Sequence, residues 1–172
     1  MDYFVMQQDY RLSNLPKPVT GSLNLRRMTH EQIGDNSQLI ILVMDESRHN
    51  EYPDYLEDIG MLVRENVLDV LTMYQKDLAY RMVILTELKK HRQETYYLVS
   101  VPQIQCLTSE STRDLQHPPR RFILDKEKVA TAKVFCDDHY GKQLIVHLDV
   151  AERILRRDSY GVWFERIHGF KE

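Results

Sequence analysis

The chain has 172 residues, of which 42% are hydrophobic and 28% are charged, and its net charge is −3. This composition excludes an intrinsically disordered chain and predicts one globular domain over residues 1–172. The small net charge argues against a basic nucleic-acid-binding protein and against an acidic mimic of nucleic acid.

The sequence also indicates the cellular compartment of the protein. The N-terminal segment MDYFVMQQDYR lacks the basic and apolar regions of a secretory signal, and the longest apolar run, Leu39–Met44, is too short to span a bilayer. The two cysteines, Cys106 and Cys136, form no CxxC pair. We therefore expect a cytoplasmic protein that inserts into no membrane.

Local patterns predict these elements in the first half of the chain. Strands are expected at Asp2–Gln7, at Leu39–Met44 and at Met61–Val63. The last of these leads into a helix that Asn66 is expected to cap, followed by a strand at Tyr80–Leu85.

The second half repeats that order. Strands are expected at Thr95–Val101, Arg121–Leu124 and Leu144–Leu148, and Asp149 is expected to cap a second helix before a strand at Val162–Ile167. Segments 61–72 and 144–155 align 83 positions apart, which indicates two strand-helix-strand units. Together these elements predict an α+β fold, in which two main helices pack on a mixed, mostly antiparallel sheet.

Patterns typical of enzymes are weak. The alternative function that they allow is a small metal-dependent hydrolase or a ligand-binding regulatory module using His49, Glu51 and Asp54. Asp137, Asp138 and His139 form a second cluster, but neither has the spacing of a zinc motif. No nucleophile elbow or phosphate-binding loop is present in the sequence, so we expect a protein without a catalytic site, metal or other cofactor.

Residues 45–58 form an acidic loop that contains two tyrosines. Its carboxylates are suited to steering a positively charged partner, and its tyrosines are suited to anchoring that partner unless they pack against their own sheet. The polar segment 108–120 is a second candidate. The predicted partner-binding residues are Asp45, Glu46, Arg48, His49, Glu51, Tyr52, Asp54, Tyr55, Glu57 and Asp58.

Four segments resemble a known family: DYFVMQQDYRLSN, ESRHNEYPDY, YYLVSVPQIQCLTSES and LDVAERILRRDSYGVWFERI. They are similar to the immunity proteins of bacterial polymorphic-toxin systems, which were formerly catalogued as a domain of unknown function. The shared pattern falls on Leu148 through Phe164 and on Tyr96, Tyr97, Val101, Pro102, Cys106 and Leu107. One departure is Arg64, which stands where relatives tend to place Ser at the start of the first helix.

The resemblance implies a function that needs no chemistry. Such a protein neutralises a cognate toxin by covering or distorting its active site in a tight complex. The expected partner is therefore a protein toxin and not a nucleic acid or a membrane. The resemblance assigns no toxin-contacting residues and no oligomeric state.

Overall fold

The computed structural model describes residues 2–35, 38–108, 122–137 and 143–171, with only the backbone of Lys171 included. The described residues form an α+β fold, as predicted. Its helices are α1 (His30–Gly34), α2 (Glu65–Tyr74), α3 (Lys126–Val129) and α4 (Leu148–Leu155), and a 3₁₀ turn covers Leu25–Arg27. Its strands are β1 (Tyr3–Gln8), β2 (Ile40–Val43), β3 (Tyr55–Leu56), β4 (Leu62–Val63), β5 (Ala79–Glu87), β6 (Arg92–Ser100), β7 (Gln103–Ile104), β8 (Ile123–Asp125), β9 (Val134–Asp137), β10 (Leu144–His147), β11 (Val162–Arg166) and β12 (Gly169–Lys171).

The strands are divided among three sheets instead of one. The first sheet has the order β11-β1-β10-β9-β7, the second has the order β2-β5-β6-β4-β3, and β12 pairs with β8 in a small third sheet. Three strand pairs are parallel, β2/β5, β7/β9 and β8/β12, and the other pairs are antiparallel. The prediction of mixed, mostly antiparallel pairing is therefore confirmed.

Two strand-helix-strand units have the same topology. In the first, β4 leads through α2 to β5, and both strands pair antiparallel with β6, which lies between them. In the second, β10 leads through α4 to β11, and both strands flank β1 in the same way. The middle strand follows directly after the first unit, whereas it comes from the N-terminal part of the chain in the second unit.

The largest hydrophobic core joins both units. It contains Val67 and Leu71 of α2, Val150 and Ile154 of α4, and strand residues from both sheets such as Met6. A second core lies on the other face of the second sheet, and a third core includes residues of the first and third sheets. Helices α2 and α4 therefore share one core with strands of both sheets. This packing fixes the positions of the loops that connect these helices to the strands.

Both main helices begin earlier than predicted. Arg64 is the N-cap of α2 and makes no capping hydrogen bond through its side chain, while Asn66 donates to Asp54 instead. His147 is the N-cap of α4 and accepts from the Asp149 amide at 3.2 Å. The predicted capping roles of Asn66 and Asp149 are therefore wrong, because other side chains bind both of them.

Some predictions lie outside the described residues. These include Asp138 and His139 of the second acidic cluster, residues 109–120 of the second candidate loop, and Arg121 at the start of a predicted strand. Among the residues that are described, no helix combines the length and hydrophobicity needed to cross a bilayer.

Candidate functional site: an acidic-aromatic surface

The two tyrosines of loop 45–58 face the interior. Tyr55 is 1% exposed and belongs to the largest core, while Tyr52 is 6% exposed and lies 4.6 Å beneath the Arg92 guanidinium. Burial raises the pKa of the Tyr52 hydroxyl to about 12. The prediction that these rings anchor a partner is therefore corrected, and they instead pack against their own sheet.

Asp54 is also bound by other residues of the chain. Its Oδ2 atom accepts hydrogen bonds from Asn66 Nδ2 at 2.8 Å and from the Tyr160 amide at 2.9 Å. Its Oδ1 atom lies 3.8 Å from Arg64 Nε. Asp54 thus connects the loop to the start of α2 and to the turn before β11, so a substitution there would disturb folding as well as any binding.

The beginning of the loop is tied to the hairpin between β5 and β6. Buried Asn50 donates to Glu87 Oε1 at 2.8 Å and to the Asp45 carbonyl oxygen at 2.9 Å. Glu46 accepts from the Lys89 amide at 3.0 Å. The loop is therefore held at both ends, which lowers the conformational entropy that a partner must remove on binding.

The hypothetical metal ligands are not brought together. His49 is exposed, whereas Glu51 accepts from the Asn14 amide at 3.3 Å and from the Tyr160 hydroxyl at 3.2 Å. Within the described ranges, no group of three His, Cys, Asp or Glu side chains has an arrangement that could hold a metal ion. The geometry gives no support to the metal-dependent alternative.

Exposed aromatic rings do lie beside the loop, but they come from other parts of the chain. Tyr10 is 60% exposed and Tyr160 is 47% exposed. Sequence analysis missed both. Tyr10 follows β1 and Tyr160 precedes β11, so the pairing of these two strands is what carries both rings to the loop.

At one side of this surface, Tyr10 contacts the end of the loop. Its hydroxyl donates to Glu57 and lies 3.5 Å from Asp58 Oδ1. Burial and the nearby Glu57 carboxylate raise the pKa of Tyr10, and burial likewise raises the pKa of Glu57. Gln8 fixes the same corner, since its side chain donates to Asp58 Oδ2 at 2.6 Å and accepts from the Glu57 amide at 2.9 Å.

Trp163, which is 46% exposed, pairs across the strands with Gln7 and so lies on the face of the sheet opposite to Gln8 and the loop. Its ring lies under the Arg11 guanidinium, 4.7 Å from the ring centroid. Arg11 also pairs with Asp9 at 2.7 Å, and the Asp9 amide donates to the Gly161 carbonyl oxygen at 3.0 Å. This bond joins the Tyr10 and Tyr160 segments.

We call this set the acidic-aromatic surface. Two exposed rings, Tyr10 and Tyr160, donate hydrogen bonds to the loop carboxylates Glu57 and Glu51, respectively. Such a surface attracts positive charge at long range and supplies large apolar rings for contact at short range. Its residues are Asp9, Tyr10, Arg11, Glu51, Glu57, Asp58 and Tyr160.

The chain was compared with known protein families, with curated proteins and with solved structures, and none of these comparisons found a significant match.

Proposed function

We propose that this protein is a non-enzymatic immunity protein, which binds a cognate bacterial toxin in the cytoplasm and neutralises it by forming a tight complex. The observation that carries the proposal is the acidic-aromatic surface, where Tyr10 and Tyr160 are exposed beside carboxylates on a loop that is anchored at both ends. Aromatic rings dominate the binding energy of many protein interfaces, and rigid loops lose little entropy when they bind.

Charge complementarity indicates the kind of toxin surface that would fit. Glu51, Glu57 and Asp58 carry negative charge, whereas Arg11 is already paired with Asp9. The complementary toxin surface is therefore basic, and association should slow as ionic strength rises. On docking, the acidic-aromatic surface would cover a basic patch near the toxin's active site.

The class of function is tested by co-expression. The protein is produced together with the product of the gene immediately upstream or downstream, and growth is recorded over a range of inducer concentrations. Dose-dependent rescue together with a one-to-one complex is the expected result. Failure to rescue growth from every toxic neighbour, or rescue without a complex, would contradict the proposal.

The site is tested with the same pair of proteins. The Tyr10→Ala/Tyr160→Ala variant should weaken the complex by about 30-fold or more, since two exposed rings are lost from the contact. Tyr80→Ala is the matched control, because Tyr80 is 41% exposed on the second sheet and its ring packs against Tyr97, which lies outside the acidic-aromatic surface. If the double variant binds the toxin as tightly as the wild type, or the control weakens the complex as much, the acidic-aromatic surface is not the site.

A further inference from the structure

The outer edge of β2 has main-chain groups that point away from its sheet. The Met44 amide donates to the Thr86 carbonyl oxygen of β5 at 2.9 Å, whereas the Val43 carbonyl oxygen accepts from the Val19 amide on the opposite side at 3.0 Å. Successive residues of a strand direct their N–H and C=O groups to opposite edges. The main-chain groups of Leu39 and Ile41 therefore point outward, like those of Val43.

These outward groups line a groove of about 630 Å³. One wall is the edge of β2 and the other is the segment 19–23. Exposed apolar side chains line both walls, with Ile41 60%, Leu39 54%, Leu23 56% and Val19 41% exposed. Arg81 also lines the groove, and its Nε atom donates to the Gln38 carbonyl oxygen at 2.8 Å.

The edge also lacks the features that keep strand edges unpaired. Residues 38–44, QLIILVM, contain no charged residue and no proline. Monomeric proteins usually protect such edges with lysine, proline or a covering segment. Here the covering segment reaches only the end of the strand, where Pro18 forms an antiparallel bridge to Met44 and the Asp45 amide donates to the Lys17 carbonyl oxygen at 2.8 Å.

We propose that this groove binds an extended segment of a partner protein, which adds to β2 as a further strand beside Leu39 and Ile41. The outward amides and carbonyls of these two residues provide two donors and two acceptors for the partner's main chain. The apolar walls select a segment with small apolar side chains at alternate positions. The groove shares no residue with the acidic-aromatic surface, so this inference does not depend on the proposed function.

A second copy of the chain fits the groove less well. Segment 19–23 lines the groove beside β2, so an edge-to-edge dimer would have to accommodate this segment from both copies next to the paired β2 strands. A single peptide strand satisfies the same backbone groups without this obstacle.

The probe is an N-acetylated, C-amidated peptide of alternating threonine and valine, and its control is the same peptide with N-methylated valines. Titration is followed by amide NMR shifts and by hydrogen exchange. The unmodified peptide should shift and protect the Leu39 and Ile41 amides of the wild-type protein. N-methylation removes the peptide's donors and should weaken binding by about tenfold or more. Equal binding of both peptides, or no binding at millimolar concentration, would overturn the proposal.

A protein variant gives an independent measurement. Ile41→Pro removes the outward N–H while leaving the bonds to β5, which even-numbered residues make, and proline is tolerated where a strand's N–H faces outward. Ile41→Thr keeps that N–H and is the matched control. Only Ile41→Pro should abolish peptide binding, with both variants retaining the wild-type circular dichroism. A dimer of the free protein in which the Ile41 amide is already protected, and which Ile41→Pro dissociates, would assign the edge to a second copy instead and overturn the inference.

Discussion

Gly161 occupies a position that leaves no space for a side chain. Its φ is +68°, in the left-handed region, and a Cβ atom there would lie 2.2 Å from Pro53 Cβ and 3.0 Å from Leu12 Cδ1. The close approach lets the turn before β11 contact the acidic loop directly. The position of Tyr160 on the acidic-aromatic surface therefore depends on the absence of a side chain at its neighbour.

Gly161→Ala is expected to lower the free energy of unfolding by about 2 kcal/mol or more, because it combines left-handed strain with a steric clash. Gly21→Ala is the control, since Gly21 has a φ of +85° but no atom within 4 Å of its added Cβ. The control should cost only about 1 kcal/mol. Urea denaturation of both variants measures the difference, and equal losses would contradict the role assigned to Pro53.

Glu87 makes the free energy of unfolding depend on pH. Burial alone would raise its pKa, but hydrogen bonds from Lys90 and Asn50 and the charges of Lys90 and Arg92 outweigh burial and lower the pKa. A carboxyl group with a lowered pKa in the folded state stabilises the fold above its ordinary pKa of 4.5. That stabilisation is lost as the pH falls through the lowered value.

Glu87→Gln should therefore reduce stability at pH 7 by about 2 kcal/mol, since it removes the charge from two bonds made by a fully buried group. The difference from the wild type should shrink steadily as the pH falls below 4.5. Thermal melting across a pH series checks this sign. Glu31→Gln, at an exposed position of α1, serves as the control, and an identical pH profile for Glu87→Gln and the wild type would contradict the argument.

At the scale of elements, hydrophobic patterns predicted the longer elements and competing contacts set where the helices begin. Strands β2 (Ile40–Val43) and β10 (Leu144–His147) lie within the predicted runs Leu39–Met44 and Leu144–Leu148, although Leu148 itself begins α4. The helix starts were misplaced because Asn66 and Asp149 are bound by Asp54 and Lys133, respectively. Such partners lie 12 and 16 residues away, beyond the range of a local capping pattern.

Leu71→Ala tests the packing of α2 between the sheets. Leu71 is completely buried, so truncation should cost about 3 kcal/mol through lost burial and the resulting cavity. The matched control is Leu155→Ala at the end of α4, where the side chain is 55% exposed and the expected change is within about 0.5 kcal/mol. Chemical denaturation distinguishes them, and similar losses would show that α2 is not packed as described.

At the scale of the whole molecule, the sequence predicted the α+β class and two strand-helix-strand units but not the sheets. Short strands such as β3 and β7 have only two residues each, so they depend on pairing with strands distant in the chain. The same long-range pairing explains the missed aromatic residues. Tyr10 and Tyr160 approach the loop only because β1 pairs with β11, and no local pattern records that contact.

The two strand-helix-strand units differ in when their paired strands leave the ribosome. The first unit has all of its strands once residue 100 has emerged, because β6 follows β5 through a short hairpin. In the second unit β1 is made long before its two neighbours, which lie at residues 144–147 and 162–166. Strand β1 must therefore wait for both of its partners, and the nascent chain must keep the apolar face of this strand from aggregating until then.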